Sequence, residues 1–198
     1  MEQYFMQLAI QVRKRADCVG NRVGAVLVRE ERVISTGYNG TPETVRNCTE
    51  GGCERCAKRS EFGSGKGYDL CFCVHAEQNA LLSAARFGIS VEGTVLYTTM
   101  RPCFNCLKEM AQTKIEAIYY LHDWQPSDAE FQKQYAILEG RIHGGVKAVR
   151  LDPTCAGCLG GMTALDALTG TSSHELCEAI HVTDVVENPD SPRARLAA

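Results

Sequence analysis

The 198-residue chain is 44% hydrophobic, which is enough for one ordinary domain with an appendage. Its 21 basic residues face 24 acidic ones for a formal charge of −3, which speaks against a nucleic-acid-binding surface and favours a small substrate. It holds no continuous apolar stretch of the length that a membrane span needs, about 18 residues or more.

Eleven cysteines call for a reason. The opening MEQYFMQLAIQVRKRA is amphipathic and lacks the continuous apolar core of a signal peptide. The expected setting is therefore reducing and cytoplasmic, where spaced cysteines read as metal ligands before disulfides.

Tyr4, Phe5, Leu8, Ala9 and Val12 recur at helical spacing, so residues 2–16 are expected to form a helix. Arg13-Lys14-Arg15 reads as its solvated face. VGAVLV and RVISTGY are β-rich runs around Arg29-Glu30-Glu31, a hairpin pattern. A long segment rich in Gly, Cys and charge follows, up to Cys71; loops of that length are normally functional or stapled. Helix resumes at HAEQNALLSAARFG and stops at Gly88. TVLYTT, EAIYYLH and GVKAVRL read as strands. Between them lie PCFNCLKEMAQT, a helix opened by Pro102, and SDAEFQKQYAILEGR, with Ser127 as its expected N-cap. Strands alternating with helices over residues 93–151 imply parallel neighbours. The sum is an α/β domain: a mixed five-stranded sheet flanked by helices, over residues 1–152.

Pro102-Cys103-x-x-Cys106 sets two thiols at i and i+3 in the first turn of a helix. The positive end of the helix dipole favours thiolate there, the form that binds metal. His75 lies at another helix start. Together, His75, Cys103 and Cys106 would give zinc three ligands and leave a fourth position open, the mark of a catalytic site. Glu77, two residues past His75, would stand beside that open position as a proton carrier. The arrangement H-x-E…P-C-x-x-C is the signature of zinc-dependent nucleobase deaminases. A purely structural zinc would require neither Glu77 nor Pro102 in place.

Four stretches carry a closer resemblance: CVGNRVGAVLVREERVISTGYNGTP, NCTEGGCERC, DLCFCVHAEQNALL and RPCFNC. They resemble the deoxycytidylate (dCMP) deaminase family, within the cytidine deaminase-like superfamily, over residues 1 to about 152. H-A-E and P-C-x-x-C are common to the superfamily; the G-Y-N-G-x-P loop and the cysteine-rich insert are narrower. The resemblance implies the three-layer cytidine deaminase-like fold and hydrolysis of dCMP to dUMP and ammonia. It implies a homo-oligomer, a hexamer or smaller, activated by dCTP and inhibited by dTTP. It assigns Asn39 to the nucleotide sugar, against the alternative that Asn39-Gly40 is a turn pair. It assigns Arg86 to the effector response, against the alternative of a cation complementing a helix C-terminus. It also implies a closed structural zinc on Cys18, Cys48, Cys53 and Cys71, with Cys56 and Cys73 as alternatives; all six lie within one 56-residue stretch. The phosphate-binding group is not readable. Rival readings are a cytidine, CMP, guanine, pterin or tRNA adenosine deaminase, and a non-catalytic zinc-binding module.

Beyond Pro153 the plan of the domain ends. Cys155, Cys158, His174 and Cys177 form C-x2-C-x15-H-x2-C, a spacing compatible with a further structural zinc over an extension at 153–182, with His181 as an alternative ligand. Residues 183–198 are expected to be a disordered tail.

Overall fold

Alternation along the strands decides which face each side chain meets. In the computed structural model, which describes residues 1–62, 67–126 and 128–151, five strands form one mixed sheet. They are β1 (Gly24–Arg29), β2 (Arg32–Tyr38), β3 (Val95–Met100), β4 (Ala117–His122) and β5 (Val146–Ala148), in the order β2-β1-β3-β4-β5. The hairpin pairing β1–β2 and the pairing β1–β3 are antiparallel. The pairings β3–β4 and β4–β5 are parallel, each strand reached through a helix.

Val26, Val28 and Tyr97 point to one face, where α1 (Glu2–Arg13) covers them with Phe5, Met6, Ala9 and Ile10. Ala25, Leu27, Leu96 and Ile118 point to the other. There they meet Ala76 and Ala80 of α4 (Ala76–Arg86) and Leu107 and Met110 of α5 (Phe104–Gln112). Tyr135 of α6 (Ala129–Glu139) joins the same cluster. The result is helix, sheet and helices in three layers. Each large apolar side chain so buried stabilises the fold by roughly 1.5–3 kcal/mol.

Two glycines set the spacing between layers. A β-carbon on Gly24 would strike the Ala9 carbonyl of α1, and one on Gly37 would strike the Ala76 carbonyl of α4. The second contact brings the start of α4 onto β2.

The structure departs from the sequence expectations in three places. Arg13 is buried, not solvated: its guanidinium lies 3.4 Å from His122 Nε2, while Lys14 and Arg15 are exposed. Helix α1 carries it inward because Arg13 extends the stripe of Phe5, Met6, Ala9 and Ile10. The N-cap of α6 is Asp128, whose Oδ1 accepts from the Phe131 N–H at 2.8 Å. Within the cysteine-rich insert, two short helices form, α2 (Glu54–Ala57) and α3 (Arg59–Phe62). Ser127, residues 63–66 and residues 152–198 lie outside the described residues. So do the tail motif Cys155, Cys158, His174 and Cys177 and its alternative ligand His181. Among the described residues, no helix is long and apolar enough to cross a membrane.

The β1–β2 turn carries strain at two exposed positions. Glu30 and Glu31 have φ of 50° and 58°. Two-residue hairpin turns of this hand favour Asn-Gly. Replacing the pair, Glu30→Asn with Glu31→Gly, is expected to raise stability by about 1 kcal/mol. Denaturant melts check this; an unchanged or lowered midpoint contradicts it.

Candidate metal centre and active site

Two helix starts converge on one point. His75 is the N-cap of α4, with extended backbone, and Cys103 is the N-cap of α5. The His75 N–H donates to Gln78 Oε1 at 3.0 Å, and Gln78 Nε2 donates to Glu109 Oε1 on α5 at 2.8 Å. Asn79 Nδ2 donates to the Tyr38 carbonyl at 2.7 Å, tying α4 to the end of β2. A backbone bridge between Gly40 and Val74 holds the residue before His75 against the G-Y-N-G loop.

The α5 side is held from behind. Arg101 pairs with Asp123 at 2.9 Å and Glu139 at 2.7 Å, and its guanidinium lies over the rings of Tyr120 and Tyr135. The Tyr135 hydroxyl donates to the Pro102 carbonyl at 2.6 Å. These contacts fix the turn that delivers Cys103.

The three side chains meet as the spacing predicts. His75 Nδ1 lies 3.4 Å from both Cys103 Sγ and Cys106 Sγ, and the two sulfurs are 3.6 Å apart. A tetrahedral zinc with Zn–S of about 2.3 Å and Zn–N of about 2.0–2.1 Å sets S···S near ~3.8 Å and N···S near ~3.6 Å. The residues present therefore fit zinc. Cys103 is drawn down to about 4, first by the neighbouring Cys106 thiol, with burial opposing and His75 assisting. The same contact, with burial, pushes Cys106 up, so the pair favours a thiolate, the form a metal takes, on Cys103.

Glu77 is 4% exposed and stands outside the three-ligand group. Its Oε1 accepts from the Thr98 hydroxyl at 3.4 Å, and its Oε2 lies 3.8 Å from Cys106 Sγ. Burial pushes its carboxyl up to about 7, with the positive charge of His75 opposing. A carboxyl so placed can exchange a proton near neutral pH.

The other six cysteines of the described residues gather in one buried cluster. The expected set of Cys18, Cys48, Cys53 and Cys71 does not come together as one four-sulfur group. Cys18 and Cys48 fall in a group with Cys56 and Cys73, whereas Cys53 and Cys71 fall in a second group that also contains Cys56 and Cys73. The reason is local: α2 begins just after Cys53, so Cys56 returns to the Cys53 side one turn later, and Cys73 points in from the approach to α4. The repeated C-x-x-C spacing of Cys53 and Cys56 was the available signal.

Asn39 is 7% exposed. Its Oδ1 accepts from the Val23 N–H at 2.7 Å and its Nδ2 donates to the Asn21 carbonyl at 2.8 Å, so it clamps the loop before β1. One N–H and one lone pair exceed these two bonds. Arg86 ends α4, exposed, with its guanidinium 3.9 Å from an equally exposed Glu43 carboxylate. Thr98, Arg101 and Tyr135 were not found from the sequence; their roles depend on strand and helix neighbours far apart in the chain.

Comparison with known proteins agrees with this geometry. Residues 1–122 match the family described as "Cytidine and deoxycytidylate deaminase zinc-binding region". The chain is 46% identical over 119 residues to the deoxycytidylate deaminase of Schizosaccharomyces pombe, covering 60% of this chain and 36% of that one. It is 41% identical over 131 residues to that of Saccharomyces cerevisiae, covering 66% and 40%. The chain thus spans little more than a third of the length of these relatives. The dCMP deaminase from the cyanophage S-TIM5, solved in complex with dCMP and dUMP, superposes with a TM-score of 0.57 at 26% identity, covering 75% of this chain and 96% of that one. The matched residues hold His75, Glu77, Cys103 and Cys106, and the chain belongs to the cytidine and deoxycytidylate deaminase zinc-binding family.

Proposed function

We propose that this chain is a zinc-dependent deaminase that hydrolyses dCMP to dUMP and ammonia. The observation that carries the reading is the buried Glu77 carboxylate beside, but outside, the group formed by His75, Cys103 and Cys106. The relatives named above support the choice of substrate.

His75, Cys103 and Cys106 would hold zinc. When bound, zinc supplies the Lewis acidity that makes water a nucleophile near neutral pH. Glu77 takes a proton from water and passes it to N3 of the cytosine ring as the water oxygen adds to C4. It then carries the second proton to the exocyclic amine, which leaves as ammonia. The Thr98 hydroxyl holds Oε1 in place for both transfers. The spare N–H and lone pair of Asn39 are the groups with which it would meet a sugar hydroxyl.

Regulation by dCTP and dTTP, with Arg86 as the coupling residue, belongs to the same proposal, as does a homo-oligomer, hexamer or smaller. Exposed Phe72, Leu82 and Phe87 side chains support association. A further zinc on Cys155, Cys158, His174 and Cys177 rests on spacing alone.

Ammonia release across dCMP, CMP, deoxycytidine and guanine tests the substrate. Activity on guanine or deoxycytidine but not on dCMP would overturn the assignment. Glu77→Gln is expected to keep the zinc content of the parent and lose about 10²–10⁴ in rate, the usual worth of acid–base catalysis. Loss of metal along with activity would make Glu77 a ligand instead.

Arg86→Glu is expected to alter the dCTP or dTTP response while leaving turnover without effector near that of the parent. An effector acts only through differential contact with two states. Activation curves that coincide with the parent's return Arg86 to the role of a helix C-terminal cation.

A further inference from the structure

A single closed, all-thiolate tetrahedral zinc takes four sulfurs, and six are present in the cluster. Cys18, Cys48, Cys53, Cys56 and Cys73 are each at most 7% exposed. With Cys71, two four-sulfur groups can be drawn in the cluster, each with all its sulfurs within 4.8 Å of one another. The first is Cys18, Cys48, Cys56 and Cys73; the second is Cys53, Cys56, Cys71 and Cys73. Together they use every sulfur of the cluster, and they share two, Cys56 and Cys73. Two tetrahedra that share two corners share an edge.

We propose that this cluster is a binuclear zinc site, Zn2Cys6, in which Cys56 and Cys73 bridge the two metals. Cys18 and Cys48 complete one zinc, and Cys53 and Cys71 complete the other. The inference does not rest on the deaminase reading, because none of these six residues belongs to the three-ligand group.

The distances favour it. Cys71 Sγ lies 3.8 Å from Cys53 Sγ and 3.8 Å from Cys56 Sγ. A zinc with Zn–S of about 2.3 Å requires a tetrahedral edge near ~3.8 Å. A disulfide would bring two sulfurs to about 2.05 Å, so these pairs are not bonded to each other. One zinc in either group would leave two cysteine thiols in or beside the cluster without a metal. Two zincs leave none.

Charge does not oppose the second metal. Six thiolates and two Zn2+ carry a net −2, the same as four thiolates and one Zn2+. Backbone donors also face the sulfurs: the Val19 N–H points to Cys48 Sγ and the Gly20 N–H to Cys18 Sγ, each at 3.4 Å. Asp17 Oδ2 accepts from the Cys48 N–H at 3.2 Å and so orients the residue. Such outer contacts hold thiolate ligands in position.

The sulfurs come from four places in the chain: before β1, the turn at Cys48–Glu50, the start of α2, and the approach to α4. Each zinc takes ligands from more than one of these places. The shared residue Cys73 lies two positions before His75. The binuclear site would therefore anchor the insert and the first helix start of the metal centre together.

Full-length protein reconstituted with 113Cd tests the bridging directly. The β-protons of Cys56 and Cys73 are expected to correlate with two cadmium nuclei each. Those of Cys18 and Cys48 should correlate with one of the two, and those of Cys53 and Cys71 with the other. Cysteines that each correlate with a single cadmium would overturn the proposal. Native mass spectrometry gives an independent count. The double variants Cys18→Ser/Cys48→Ser and Cys53→Ser/Cys71→Ser are each expected to carry one zinc fewer than the parent chain. If the cluster held one zinc able to sit on any four sulfurs, either variant would keep the parent's zinc content, and that result would also overturn it.

Discussion

The approach of α4 to β2 at Gly37 is the constraint from which the site follows. The Ala76 carbonyl occupies the place where any side chain at residue 37 would begin. His75, Ala76 and Glu77 are consecutive, so the backbone that rests on Gly37 is the backbone that presents the His75 imidazole and the Glu77 carboxyl. Metal sites tolerate departures of only about 0.2 Å in ligand distance. A flexible loop could not hold that tolerance, but a helix start seated on a strand can. The Asn79 bond to the Tyr38 carbonyl and the Gln78 bond to Glu109 lock the same turn to β2 and to α5.

The same packing sets the chemistry of Glu77. The Ala76 and Ala80 side chains are buried beside it under the sheet, and Thr98 of β3 meets its carboxylate. Removing water raises the cost of its charge; the histidine beside it lowers that cost again. A group balanced in this way holds and releases a proton with little penalty in either direction. Arg101 braces the opposite side. Its two ion pairs and two ring contacts brace the Pro102 turn, and Tyr135 fastens the Pro102 carbonyl directly.

Period and spacing carried much of this in the sequence. The strands and principal helices were legible because their apolar residues follow the periods of a sheet and of helices covering it. The pairs His75/Glu77 and Cys103/Cys106 were legible because a spacing within one helical turn is a local property; their meeting depends on how α4 and α5 converge. What escaped was non-local. Arg13 looked like a solvated cation until the position of β4 placed His122 opposite it. Thr98 is one of two adjacent threonines in β3, and only the pairing of layers aims it at Glu77. The sulfur cluster fell between these cases: its six members were visible, but their partition depended on how the insert folds back. The expected set takes two sulfurs from each of two overlapping groups, because Cys56 and Cys73 lie within reach of both.

The order in which the chain is made gives the sulfur cluster a further consequence. All six of its sulfurs lie before His75, whereas Cys103 and Cys106 come later. At roughly 5–20 residues per second, the ~33 residues from Cys73 to Cys106 take about 2–7 s to synthesise. Through most of that interval the nascent chain displays the six sulfurs and His75 without Cys103 and Cys106. Metal delivered to a growing chain therefore meets the cluster's donors first, and the histidine waits for its partners on a segment whose upstream end can already be closed.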